Sequence, residues 1–208
     1  MSKLDDILIR ARDKLLAKDE ARASIEEKAQ KARTRSKQAI QLVHRGDPDK
    51  AHERLVQAAG FLDEVSELLK QYPDFTHYGS VAAAWEEHAE AVIFTSLMKS
   101  GGYPEPLQIP LDHYILGLGD VVGELRRAAV DDLRRGRLDL AEARLGLMEE
   151  IYEALIAGED VTILLKDMRR KTDVARGIIE ATRGDIALEA GRKRLDDSIR
   201  ELSSKMKQ

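Results

Sequence analysis

The chain has 208 residues, 43% of them apolar and 35% charged, with 34 Lys/Arg against 38 Asp/Glu, a formal net charge of −4 and no cysteine. This excludes disulfide frameworks and thiolate metal sites, and a normal apolar share beside the high charge argues for a folded chain over a disordered one. Aromatic content of only 4% leaves Leu, Ile, Val and Ala to build the core, which suits helix packing better than a β-sandwich.

Gly and Pro punctuate long helical patterns, and no strand pattern of useful length lies between them. Residues 3–45 read as one helix ending at Gly46, about 60 Å long at ~1.5 Å per residue. Its ends carry apolar residues at helical spacing, Leu4, Ile7, Leu8, Ala11 and Leu15, then Ile40 and Val43; its middle, Glu26 to Gln38, has only alanines. Such a helix either finds partner helices or another subunit, or stands as a solvated arm. Asp47-Pro48 supplies an N-cap and a first-turn proline for a second helix, Pro48 to about Tyr72. A third runs from about Thr76 to Ser100, closed by Gly101-Gly102. After a loop with Pro104, Pro106 and Pro110 come a fourth helix, Leu111 to about Arg135, and a fifth, Asp139 to Ala157. A sixth is expected over Asp160 to Arg183, with Gly184 separating it from a last helix, Asp185 to about Lys207. The expected fold is all-α: a single domain over 1–208, a bundle of about seven helices with a long first one.

No stretch approaches the 18 apolar residues of a membrane span. The opening Met1-Ser2-Lys3-Leu4-Asp5-Asp6 has acids where a signal peptide needs bases, and the lack of cysteine is compatible with a reducing cytoplasm.

The small net charge conceals segregation. Residues 73–125 hold eight Asp/Glu and one basic residue, Lys99, whereas residues 1–72 hold 15 Lys/Arg and residues 126–208 hold 18. Two acidic motifs lie in the central segment. Glu86-Glu87-His88-Ala89-Glu90 places Glu87 and Glu90 one turn apart on a face shared with Ala83, Phe94 and Met98. Asp120-Val121-Val122-Gly123-Glu124 places Asp120 and Glu124 together on a face with Gly117, Val121 and Ala128. These faces are semi-apolar, and the glycines at 117, 119 and 123 would admit another helix or a ligand. If the third and fourth helices are antiparallel neighbours, four carboxylates converge, and they cannot all stay ionised without a cation. Oxygen-only ligands select Mg²⁺ or Mn²⁺, which can polarise a phosphodiester and activate water. The competing reading is ordinary solvated helix charge. His88 falls on another side of its helix and reads as a packed histidine, and Trp85 reads as core.

The basic residues cluster as Lys28, Lys31, Arg33, Arg35 and Lys37 on the long helix, as Arg126 and Arg127 just after Glu124, and as Arg169, Arg170 and Lys171. No aromatic residue interleaves with them, so they suit a nucleic-acid backbone better than stacked bases. Taken singly, each run also reads as a solvated face.

The stretch Asp112-His113-Tyr114-Ile115-Leu116-Gly117-Leu118-Gly119-Asp120-Val121-Val122-Gly123-Glu124-Leu125-Arg126-Arg127 resembles the D-Y-L-L-G-x-x-D-L-T-G-E-L-x-R stretch of the translin superfamily. Glu87-His88-Ala89-Glu90-Ala91-Val92-Ile93-Phe94 is similar to E-Y-V-E-A-V-x-F of its translin-associated factor X branch. Lys171-Thr172-Asp173-Val174-Ala175 looks like the family's late K-x-D-V-x segment. Val121-Val122 stands where Leu-Thr is usual, the insertion of eukaryotic factor X before the second motif is absent, and the segment after Gly184 has no counterpart. The resemblance implies a metal-dependent endoribonuclease in which Glu87, Glu90 and Asp120 are catalytic and, with Glu124, hold Mg²⁺ or Mn²⁺. It also implies RNA bound inside a closed homo-oligomeric shell, an octamer in the compact prokaryotic form. A non-catalytic shell binding RNA or single-stranded DNA is the alternative. A nucleotide pyrophosphatase is the third reading, since Glu86–Glu90 matches Glu-Glu-x-x-Glu although the second motif departs from the Glu-x-x-Asp of those enzymes.

Overall fold

A computed structural model describes residues 2–206, and no strand occurs among them. The elements are α1 (Lys3–His44), α2 (Pro48–Gln71), a 3-10 turn (Pro73–Phe75), α3 (Gly79–Ser100), α4 (Leu111–Arg134), α5 (Leu138–Ala157), α6 (Glu159–Thr162) and α7 (Met168–Lys205). The all-α expectation holds, with six long helices and a single turn, α6. The chain forms two compact units, Met1–Gly117 and Leu118–Gln208. No helix among the described residues is long and apolar enough to cross a membrane.

In the first unit, α1 opens on a reciprocal cap: Ser2 Oγ accepts from the Asp5 N–H, and the Asp5 carboxylate accepts from the Ser2 N–H at 2.7 Å. The buried face of α1 is Ala21, Ile25, Ala29, Ala32, Ser36 and Ala39, followed by Ile40 and Val43, and it packs against α2 and α3. The middle of α1 therefore finds partner helices, one of the alternatives the sequence left open. The alanine-rich middle is the packed part, because small side chains let helix axes approach closely, and the leucine-bearing first turns are the exposed part. Gly46, at φ +80°, supplies the left-handed residue that ends α1 before Asp47 caps α2. Helix α3 starts three residues later than expected because the 3-10 turn and the edge-on contact of Phe75 with Tyr78 occupy its approach. Trp85 is buried, as expected.

The first half of α4 packs on α3 at Gly117. A Cβ there would lie 2.7 Å from Ala89 Cβ and 2.9 Å from the Glu90 amide nitrogen, so only glycine permits this approach.

In the second unit, α5 and α7 pack face to face, with Met148, Ile151 and Leu155 on one and Met168, Ala175 and Ile179 on the other. Asp132, almost fully buried, is held by Arg137 at 2.5 Å and faces Arg144 at 3.7 Å. The expected helix Asp160–Arg183 is replaced by the one-turn α6, an irregular link, and α7 beginning after Asp167, an αL residue at φ +68°. Nor does Gly184 break α7, which runs on unbroken to Lys205. A glycine costs a helix only about 1 kcal/mol, and here Thr182 and Ile186, both buried, hold the turn on each side. The expected helix end near Lys207 lies outside the described residues.

Candidate functional site: two acidic faces and their cations

Glu87 and Glu90 lie one turn apart on α3 and both are partly buried, beside the fully buried His88 and Ala89. Helix α1 delivers cations to this face. Arg33 Nε lies 3.4 Å and Lys37 Nζ 3.6 Å from the same carboxylate oxygen of Glu87, whose side chain is 16% exposed. Two residues of the basic run are thereby gathered on the acidic face. Elsewhere in that run Lys28 pairs with Glu64 of α2, Lys31 pairs with Glu27 at 2.6 Å, and Arg35 donates to Gln38 at 2.9 Å. Lys31, half exposed, and Arg35 thus keep local partners on α1 itself.

His88 is buried, with Ser36 Oγ 3.4 Å from its Nδ1, and burial pushes its pKa down to about 4. A neutral imidazole walled off from solvent is a packing group, in agreement with the sequence reading. A cleft of about 620 Å³ lined in part by Trp85, His77, Asp112 and His113 also opens in this unit, but none of the four predicted acids lines it.

In the second unit Asp120 and Glu124 sit one turn apart on α4, both partly buried. Lys171 Nζ donates to Asp120 at 2.5 Å, and Arg127 faces Glu124 at 3.7 Å. Gly119 makes room for the lysine, since a Cβ at 119 would meet the Lys171 side chain at 3.2 Å. By contrast, nothing stands within 4 Å of a Cβ built at Gly123. Arg126 is turned inward as a strut: it donates to Asp185 at 2.7 Å and to Thr182 Oγ1 at 3.1 Å. Arg127 is the exposed member of that pair. The sequence reading placed Lys171 in a basic patch and missed its place on Asp120; the K-x-D-V-x match was the one signal that marked it.

Each acidic face therefore presents carboxylate oxygens on a semi-apolar helix surface, a donor set that fits a hard divalent cation and no soft one. Among the described residues no three His, Asp or Glu side chains form a group ready to hold a metal ion, and basic side chains neutralise Glu87, Asp120 and Glu124 instead.

This combination defines an all-helical protein with paired acids on two helices and basic side chains set against them. No family model matches the sequence. Among solved structures, that of AfC3PO with duplex RNA is similar at TM-score 0.80 and 31% identity, over 89% of this chain and 97% of that one. A second AfC3PO structure is similar at TM-score 0.77 and 30% identity, over 92% and 98%. The apo-NeC3PO structure, at TM-score 0.78 and 24% identity over 91% and 98%, shares the fold. An uncharacterised protein of Methanocaldococcus jannaschii is 33% identical over 134 residues; the match spans 60% of this chain and 59% of that relative. The chain belongs to the translin superfamily.

Proposed function

We propose that this protein is a metal-dependent endoribonuclease of the translin-associated factor X type, self-associated into a homo-oligomeric shell, an octamer in the compact form, that takes up RNA. The observation that carries this reading is the meeting of charges on α3, where Arg33 and Lys37 converge on the mostly buried Glu87 beside Glu90. Basic groups bordering acids are what a phosphodiester-cleaving site needs, cations to hold a polyanion and carboxylates to hold a hard ion. The likeness to AfC3PO, whose structure holds duplex RNA, supports RNA as the ligand.

Glu87, Glu90, Asp120 and Glu124 would hold Mg²⁺ or Mn²⁺, which would supply charge stabilisation at the phosphoryl group and a more acidic water. Arg33, Lys37 and Arg127 hold backbone phosphates at the border of the acids, and Lys31 and Arg35 add charge along α1. Lys171, donating to Asp120, orients its carboxylate.

One observation favours the rival reading, RNA or single-stranded DNA binding without cleavage: Glu87, Asp120 and Glu124 already face basic partners in the chain, as structural acids do. Incubation of labelled RNA with and without Mg²⁺ separates the two. Metal-dependent internal cleavage supports the nuclease, whereas binding without cleavage in either Mg²⁺ or Mn²⁺ supports the rival. Release of pyrophosphate from free nucleotides, with polynucleotides left intact, would overturn both.

A further inference from the structure

Two segments of this chain are helical yet bury nothing. In α1 every residue from 2 to 17 is exposed, and the first buried residue is Ala21. In α7 the last buried residue is Ile186, and the helix continues to Lys205. Helices of this length do not hold together in water on propensity alone; an amphipathic face needs something to pack against.

The pattern on the α7 arm says what kind of partner. Leu188, Arg192, Leu195, Ile199, Leu202 and Met206 follow in steps of four, three, four, three and four, the spacing of a two-helix seam. The five apolar members are each more than half exposed. The α1 arm carries a seam of the same spacing, Leu4, Leu8, Ala11 and Leu15, whose three leucines are also more than half exposed.

Charge decides between the ways these seams can pair. Two α7 arms running antiparallel with all their layers in register bring Asp196 against Asp196 of the partner subunit, and running parallel they stack Arg192 on Arg192 of the partner subunit. Both arrangements set like charges together at the seam. An α7 arm running antiparallel to an α1 arm has neither fault within four layers, and the next step sets Arg192 opposite Lys18, a lysine already paired with Asp74. The four layers are Leu8 with Leu202, Ala11 with Ile199 and Leu15 with Leu195, closed by Leu4 with Met206. The same register sets Arg12 beside Asp196 on the flank, an attractive pair.

We infer that the α7 arm of one copy docks antiparallel on the α1 arm of a second copy. This rests on the self-association proposed above for the identity of the partner, and on the two seams for the surface. Each arm buries its leucines against the other's, over about 17 Å of helix. The contact joins different patches on the two copies, so it propagates from subunit to subunit until a ring closes.

The absence of cysteine makes the test direct. Leu8→Cys and Leu202→Cys chains, carrying different tags, are co-expressed, purified and oxidised, and the products are separated without reductant. A mixed dimer forming at least about tenfold faster than either single-variant dimer is the expected result, and Asp196→Arg should slow it while Arg12→Asp in the partner chain restores it. Crosslinking of Leu202→Cys with itself at the same rate would overturn the proposal, as would a doubly substituted chain that closes only within itself. Sedimentation of wild type separates the failures: an oligomer without the mixed crosslink refutes the arm pairing alone, whereas a monomer refutes self-association as well.

Discussion

Lys171 Nζ stands 2.5 Å from a carboxylate oxygen of Asp120, with the lysine 8% exposed and the aspartate 37%. The two ends of this ion pair are not equivalent. Asp120→Asn removes the carboxylate to which the buried ammonium donates and should cost about 1–3 kcal/mol. Lys171→Met removes the buried charge, fills similar volume and leaves a carboxylate that water can reach, so it should cost under about 1 kcal/mol. Urea unfolding of the two variants checks this; equal losses would show that the pair is not held as described.

Glu90→Gln keeps volume and removes a charge. Under the proposed function it should abolish RNA cleavage while circular dichroism, unfolding midpoint and sedimentation stay as in wild type. Full cleavage by this variant, or undiminished cleavage by wild type in EDTA, would remove the metal mechanism.

His88 gives a pH dependence of stability. Its folded pKa, lowered by burial to about 4, lies below the ordinary value of 6.5. Between those values the unfolded chain takes up a proton that the folded chain refuses, so stability falls as pH drops from about 6.5 towards 4 and flattens below. The loss reaches about 3 kcal/mol across that window. His88→Leu should flatten the profile there; an unchanged slope in this variant would assign the acid sensitivity to other groups.

Gly117 and Gly123, six residues apart on α4, should respond to alanine in opposite ways. Gly117→Ala drives a methyl into Ala89 and the backbone of Glu90, and a cost of about 1–3 kcal/mol is expected. Gly123→Ala meets nothing and should stabilise by up to about 1 kcal/mol through helix propensity. Thermal unfolding of both variants in parallel would expose a wrong α3–α4 contact, because the signs would then agree.

The basic run on α1 divides by role. Neutralising Lys31 and Arg35 together should weaken RNA binding on all sequences and lower the salt slope by about 0.7 per lost phosphate contact for single strands, without changing the rate at saturating RNA. Neutralising Arg33 and Lys37 should also alter cleavage, since both stand on Glu87. Binding isotherms at several salt concentrations, alongside single-turnover cleavage, distinguish the two pairs.

Fold class was legible in the sequence because glycine, proline and capping residues act locally: Asp47-Pro48 and Gly101 mark helix ends without help from distant residues. What failed were inferences from side-chain size. The alanines of α1 read as a polar middle, yet Ala29, Ala32 and Ala39 are fully enclosed, because hydrophobic patterning counts bulk and not closeness of approach. Gly184 read as a stop, but tertiary anchoring by Thr182 and Ile186 overrides a penalty of about 1 kcal/mol. At the acidic faces the pairing of Glu87 with Glu90 and of Asp120 with Glu124 followed from helical spacing alone. The partners Arg33, Lys37 and Lys171 lie fifty or more residues away in sequence, and a linear reading has no means to match them to their acids.

The alanine seam of α1 has a consequence for how this helix tolerates change. Ala32 and Ala39 have no exposed surface, so any added heavy atom must find room inside the packed face, and only glycine adds none. Of the charged positions between them, Arg33 and Lys37 stand on Glu87. Over long divergence, then, the most polar-looking stretch of the chain should keep its smallest residues, and a comparison weighted towards bulky side chains would overlook what that helix holds constant.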